Sequence, residues 1–182
     1  ETELNHYIQE NKDERMIASL IYIDNYDEAL DSIEEVKRSL LVALVDRKIN
    51  KYFSGVDALV RKIEKDKYFV VFRHKFLSRL QEDKFSLLED VKNVRVGNEM
   101  AVTLSIGIGD EGSSYNQNYD YARMAIDLAL GRGGDQVVVK EGEKISYYGG
   151  KSKQVEKMTR VKARVKAHAL REMIESREHV IV

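Results

Sequence analysis

The 182 residues include no cysteine, so disulfides, thiolate metal sites and cysteine nucleophiles are excluded. Cytosolic exposure is compatible with that absence. No apolar run approaches the length of a bilayer-spanning helix, and no signal-peptide pattern is visible. Formal net charge is −1, so overall charge draws the chain to neither nucleic acid nor membrane. The four histidines, His6, His74, His168 and His179, show no spacing that makes a metal pair on one helix face, and read as surface or linker residues. One further absence is local. The stretch IEKDKYFVVF (Ile63–Phe72) has the pattern of a β-hairpin, yet its tip is Lys65, Asp66 and Lys67. Hairpins usually turn on Gly, Asn or Pro, which supply the special backbone angles.

What is present describes a soluble globular chain, 43% hydrophobic and 34% charged, long enough for one packed domain with an appendage. Charge is unevenly spread. From Glu1 to Glu35 there are eleven acidic residues and two basic ones, Lys12 and Arg15; from Lys151 to Arg171 there are eight basic residues and one acidic, Glu156. The first residue is Glu and the last four are HVIV, so both ends read as cut from something longer.

Glu1–Asp13 is polar, helix-compatible and too poor in apolar residues for a core; it reads as a linker. Met16–Ile23 (MIASLIYI) predicts a central strand. Asp24-Asn25 breaks it, and the acidic segment from Asp27 predicts one long helix striped by Leu30, Ile33, Val36, Leu40, Leu41, Leu44 and Val45. Ser54–Ile63 and Tyr68–Arg73 form the hairpin, followed by helices near Phe76–Gln81 and Phe85–Lys92. Ala101–Ile108 predicts a second strand of small and apolar residues, and about Tyr119–Leu130 a helix burying Ala122, Ala125, Ile126 and Ala129. The glycines of Gly131–Gly134 end that helix. Val137–Lys140 and Lys144–Tyr148 form a last hairpin. The order β-α-β-β-α-β, with additions, predicts an α+β, ferredoxin-like antiparallel sheet with helices. A further helix is expected from Ser152 to about Ser176, with HVIV as the first strand of another domain.

Particular residues then carry a resemblance. VTLSIGIG (Val102–Gly109) with YDYARMAIDLALGRGGDQVV (Tyr119–Val138) closely resembles the second half of GGDEF domains, and IYIDNYDEALD (Ile21–Asp31) the first; the likeness covers about Met16 to Gly150. It places the family's metal-binding Asp pair on Tyr22 and Asp24, and its guanine-reading Asn on Leu30. The signature hairpin falls on Lys65-Asp66-Lys67-Tyr68-Phe69, with its glycines gone and its metal-binding carboxylate replaced by Lys67. The phosphate-contacting Lys and Arg fall on Leu130 and Gly134. A diguanylate cyclase needs carboxylates holding two Mg²⁺ ions and a bare backbone under the nucleotide. The resemblance therefore implies a degenerate domain without cyclase activity. LALGRGGDQVVVK (Leu128–Lys140), YYGGK (Tyr147–Lys151) and TRVKARVKAHAL (Thr159–Leu170) are similar to the GdpP/YybT type of cyclic-di-AMP phosphodiesterase.

That family's order is two transmembrane helices, a PAS domain, a degenerate GGDEF domain and a DHH phosphoesterase module. It implies a linker from the PAS domain at 1–14, the degenerate GGDEF domain at 15–150, and the connecting helix with the first DHH strand at 151–182. No DHH motif occurs in the chain, so the Mn²⁺-type metals of that module are not expected here. The resemblance further implies a cytoplasmic domain of a bacterial membrane-anchored protein, partnered by its own PAS and DHH domains, homodimeric, and credited with binding and weakly hydrolysing ATP. Asp24 is then the candidate Mg²⁺ ligand, with Asp66 or a backbone carbonyl; Lys65, Lys67 and Arg132 are the candidate phosphate contacts. The competing readings are that Asp24 caps the following helix and that the lysines are merely solvated. GRGGDQ follows a helix instead of opening one, so a C-cap turn is favoured over a phosphate cradle. The basic segment from Lys151 lacks interleaved aromatics and reads as a connecting helix, not a nucleic-acid contact. KYFVVF resembles the aromatic strand of RRM domains, but its companion strand offers only Tyr22. A regulatory nucleotide-binding domain is the leading expectation, and a ligand-free dimerisation and transmission module the alternative.

Overall fold

The structure, a computed structural model, describes residues 1–149; the expected connecting helix and HVIV lie outside them. Its elements are α1 (Thr2–Asp13), β1 (Met16–Ile23), α2 (Tyr26–Asp31), α3 (Glu35–Ser54), β2 (Leu59–Glu64), β3 (Lys67–Arg73), a 3₁₀ turn (His74–Phe76), α4 (Leu77–Glu82), α5 (Leu87–Lys92), β4 (Leu104–Asp110), α6 (Tyr115–Gly131), β5 (Gln136–Glu141) and β6 (Lys144–Tyr148). The strands form one sheet in the order β2-β3-β1-β4-β5-β6. The first four strands have the ferredoxin-like arrangement, with β1 antiparallel to both β3 and β4. The sheet is mixed, however: β4 and β5 run parallel, because α6 carries the chain back across the sheet between them.

Alternation along β1 sends side chains to two faces. Ile17, Ile21 and Ile23 join the main core with Leu41, Val45, Ile49 and Phe53 of α3 and with Leu77, Leu80, Leu87, Leu88 and Val91 of α4 and α5. Ala18 and Leu20 point the other way, against Ala122 and Ile126 of α6. Helices therefore lie on both faces. Gly107 and Gly109 of β4 are where α6 comes closest. A Cβ on Gly107 would stand 2.4 Å from Ile126 N, and one on Gly109 would stand 1.9 Å from Asn118 O.

Two helices differ from the expectation. The single helix from Asp27 is divided into α2 and α3 by Ser32–Glu34, where Arg38 Nε donates to Ile33 O at 2.8 Å. The turn resets the helical phase, so the stripe does not run on one face. Ile33 and Leu41 are buried, whereas Val36 is 84% exposed and Leu40 is also exposed. Helix α6 starts four residues earlier than expected, at Tyr115 instead of Tyr119. Ser114 caps it, its Oγ accepting from Gln117 N at 3.2 Å, while Gln117 Oε1 accepts from Ser113 N at 2.5 Å. Ser114→Ala is expected to cost about 1 kcal/mol of stability, read as a lowered urea midpoint with an unchanged slope. An unchanged midpoint would remove the cap from the account of where α6 begins.

Helix α1 buries none of its own residues. It is joined to the domain by ion pairs instead: Lys12 with Glu111 at 3.0 Å, and Glu14 with Arg73 at 3.1 Å and Lys75 at 2.9 Å. Arg15 O also accepts from His74 N at 2.7 Å.

Candidate functional site

Asp24 follows the last residue of β1, and its carboxylate turns inward. Oδ2 accepts from Thr103 Oγ1 at 2.8 Å and from Asp135 N at 2.9 Å, and Oδ1 accepts from Ser105 Oγ at 2.5 Å. Its own backbone N donates to Thr103 O at 3.0 Å. The group thus ties the end of β1 to β4 and to the turn between α6 and β5. Gly134 makes room for it: φ there is +73°, and an added Cβ would meet the Asp24 Cγ at 2.8 Å. Burial raises the Asp24 pKa above the ordinary aspartate value; the bonds from Ser105, Thr103 and Asp135 N oppose the shift, and the Asp135 charge adds to it. Asp135 is itself buried at φ 55° and paired with Lys92 Nζ at 2.8 Å.

Asp24 does not cap α2. The N-cap there is Asn25, whose side chain bridges instead to Ala101 O at 2.7 Å and from Thr103 N at 3.2 Å. The glycine-rich segment makes a C-cap, with Gly134 N donating to Ala129 O at 2.9 Å and Gly133 at φ 104°.

The hairpin turns without glycine because the irregularity is taken up beside the tip. The β2–β3 register shifts between Lys62 and Glu64, and neither Lys65 nor Asp66 is among the positive-φ residues. Asp66 O accepts from Ile23 N at 2.8 Å, which seats the tip against the end of β1. Lys65 pairs with Asp27 at 2.9 Å and lies over the Tyr26 ring at 5.3 Å. Lys67 pairs with Glu64 at 3.2 Å and lies over the Tyr22 ring at 5.1 Å. The side-chain bond to Asp27 and that to Glu64 raise the two lysine pKa values, so both are cationic at neutral pH. Arg132 is turned toward β5 and β6, with Nε donating to Gln136 Oε1 at 2.8 Å and the guanidinium 3.9 Å from the Tyr147 ring centroid.

The residues present do not fit a two-metal centre. Tyr22 holds a cation over its ring and both Asp24 oxygens accept hydrogen bonds; among the described residues no group of three or more His, Asp or Glu side chains is gathered to hold a metal ion. What the tip offers is a pair of cations, Lys65 exposed and Lys67 partly buried, suited to neutralising an anion and not to activating a hydroxyl.

Sequence reasoning missed a second polar cluster at the opposite end of the sheet. His74, read as a surface residue, is largely buried, with Nδ1 2.5 Å from Oδ2 of the buried Asp110. The two line a cavity of about 300 Å³ with Lys12, Arg15 and Glu111. The available signal was Asp110 itself, a charge closing an otherwise apolar strand. His6, in contrast, is exposed on α1, and His168 and His179 lie outside the described residues.

The sheet with helices on both faces and the degenerate hairpin beside β1 is the GGDEF fold. The GGDEF domain of DgcB from Caulobacter crescentus, solved in complex with c-di-GMP, matches with a TM-score of 0.58 over 76% of this chain and 86% of that one, at 16% identity. The particular family is narrower. The profile described as "Cyclic-di-AMP phosphodiesterase GdpP-like, GGDEF domain" matches residues 21–147, and the chain belongs to that family. It is 38% identical over 170 residues to the cyclic-di-AMP phosphodiesterase GdpP of Geobacillus thermodenitrificans (strain NG80-2), covering 93% of this chain and 26% of that protein. It is also 38% identical over 181 residues to the cyclic-di-AMP phosphodiesterase PdeA of Listeria monocytogenes serotype 1/2a (strain 10403S), covering 99% and 27%. The chain thus spans about a quarter of the length of these relatives.

Proposed function

We propose that this domain is a regulatory module of a membrane-anchored cyclic-di-AMP phosphodiesterase, that it binds ATP at the Lys65–Lys67 hairpin tip, and that it is no cyclase. The observation that carries the reading is the cationic tip beside the end of β1, Lys65 exposed and Lys67 partly buried, where the resemblance places a metal-binding carboxylate. Such a tip supplies charge for the nucleotide's phosphates, with Asp66 near the Mg²⁺ that would accompany it, since Asp24, the other candidate ligand, already accepts three hydrogen bonds, and with Arg132 as an outer contact. It supplies no positioned base, so turnover is slow. Anchoring is assigned to other segments, since among the described residues no helix is long and apolar enough to cross a membrane. The domain would act on the cytoplasmic side, as a homodimer, between its own PAS and DHH partners.

The second reading is a ligand-free transmission module. It is favoured by the lysines' existing pairs with Asp27 and Glu64, and by the ion pairs that fasten α1 to the domain. Calorimetric titration with ATP, GTP and cyclic-di-AMP, each with Mg²⁺, separates the two. ATP is expected to bind selectively and to weaken at least tenfold in Lys65→Ala/Lys67→Ala. No heat with any of the three from a folded sample would discard the nucleotide site and leave transmission alone.

A further inference from the structure

Among the described residues, helix α6 packs on β1, β4 and β5 and leaves part of its own side of the sheet uncovered. Register identifies what lies there. Leu59 is opposite Val71, Arg61 opposite Phe69, and Tyr22 opposite Lys67, so these residues share the α6 face. Leu59 is 72% and Ile63 51% exposed. From α6, Tyr119 reaches across to Phe69, with ring centroids 5.9 Å apart at 67°. Tyr22 completes the group: Lys67 lies over its ring, and partial burial raises its hydroxyl pKa, with Asp127 and Tyr119 adding to the shift and Lys67 and Arg123 opposing it. Among the described residues, three aromatic rings are thereby set among three cations, Arg61, Lys67 and Arg123, with two anions, Glu64 and Asp127, beside them.

We propose that this face binds single-stranded nucleic acid, with bases stacking on Phe69, Tyr119 and Tyr22 and phosphates meeting Arg61, Lys67 and Arg123. The chemistry favours this occupant over an apolar protein partner because the cations are interleaved with the rings, the arrangement that holds a charged backbone and its bases together. Lys67 exchanges Glu64 for a phosphate oxygen without losing an anionic partner. The sequence alone offered too few rings, since β1 contributes Tyr22 alone; the fold adds Tyr119 from a segment about fifty residues downstream of Phe69.

The test is fluorescence anisotropy with the full 182-residue chain and an end-labelled RNA strand of about ten nucleotides, within the usual site size. Binding is expected at low salt and should weaken steeply as salt rises. Tyr119→Ser and Arg123→Glu should each weaken it about tenfold, the loss of one stacked base or one strong contact. Lys48→Glu, the same charge change on α3 across the sheet, should leave it unaltered, and a duplex of the same sequence should bind more weakly. Absence of binding, or equal affinity in both platform variants, would overturn the proposal; the latter would send the contact to another basic segment. The Lys65→Ala/Lys67→Ala titration with ATP is read separately, so either result stands when the other fails.

Discussion

Gly109→Ala is expected to destabilise the domain by about 3 kcal/mol, the upper end of the usual range for overpacking. The reason is that the obstacle is main chain. A Cβ at this position would stand 1.9 Å from Asn118 O and 2.5 Å from Ala122 N, so no rotamer change makes room. Helix α6 would have to lift, and Asn118 resists that. It is buried, donates through Nδ2 to Met16 O at 2.9 Å, and accepts from Gly112 N at 2.7 Å. Lifting the helix would also separate Ala122 and Ile126 from Ala18 and Leu20. The internal control is Gly131→Ala at the last turn of α6, where nothing lies within 4 Å of an added Cβ. That change should be neutral or stabilising by up to about 1 kcal/mol, through helix propensity. Urea unfolding followed by circular dichroism compares the two. A Gly109→Ala midpoint matching the wild type would show that α6 rides on β4 more loosely than this packing describes.

The same glycines explain which parts of the fold were legible. Strands β1, β5 and β6 were, because β-branched and apolar runs of strand length have few other uses. The GGDEF likeness of VTLSIGIG was legible as a motif, but its physical reason was not: alternate glycines are a track for a helix on one face only, and the sequence does not say which helix. The α2–α3 division was hidden because Ile33 and Leu41 keep helical spacing through the turn. The parallel β4–β5 pair was hidden because strand patterns carry no direction. At the site, the resemblance places Tyr22 and Lys67 where the family has metal-binding carboxylates, and that substitution is visible in the chain itself. The company of Asp24 could not, since its partners Thr103, Ser105 and Asp135 lie 79, 81 and 111 residues away. Arg132 shows the same limit, since a side chain leaving a glycine turn has no visible reason to stack on Tyr147.

Asp24 tests how the site is built, and its variants separate hydrogen bonding from charge. Asp24→Ala removes the acceptor from two hydroxyls and a backbone N–H at once, leaving donors stranded in a partly buried place; a loss of about 3 kcal/mol is expected. Asp24→Asn keeps a carbonyl oxygen for Asp135 N and an amide that can donate to a hydroxyl oxygen, so its cost near neutrality should be smaller. Its pH dependence is the sharper measurement. Burial raises the Asp24 pKa in the folded state, so the folded protein holds this proton more tightly than the unfolded chain. Between the unfolded and the raised folded pKa the native state binds more protons, and stability therefore falls as pH rises through that window. The stabilisation is fully present below the unfolded pKa and lost above the folded one. Asp24→Asn has no such proton. The wild type minus Asp24→Asn difference in unfolding free energy should therefore shift in favour of the wild type as pH is lowered from about 7 toward about 4. Glu141, whose pKa burial also raises, is present in both proteins and cancels in the difference. A difference that is flat with pH would mean that the three hydrogen bonds fully offset the desolvation of Asp24. A difference that moves against the wild type on acidification would mean that they outweigh it, and that the carboxylate is held as an anion between β1, β4 and the α6–β5 turn.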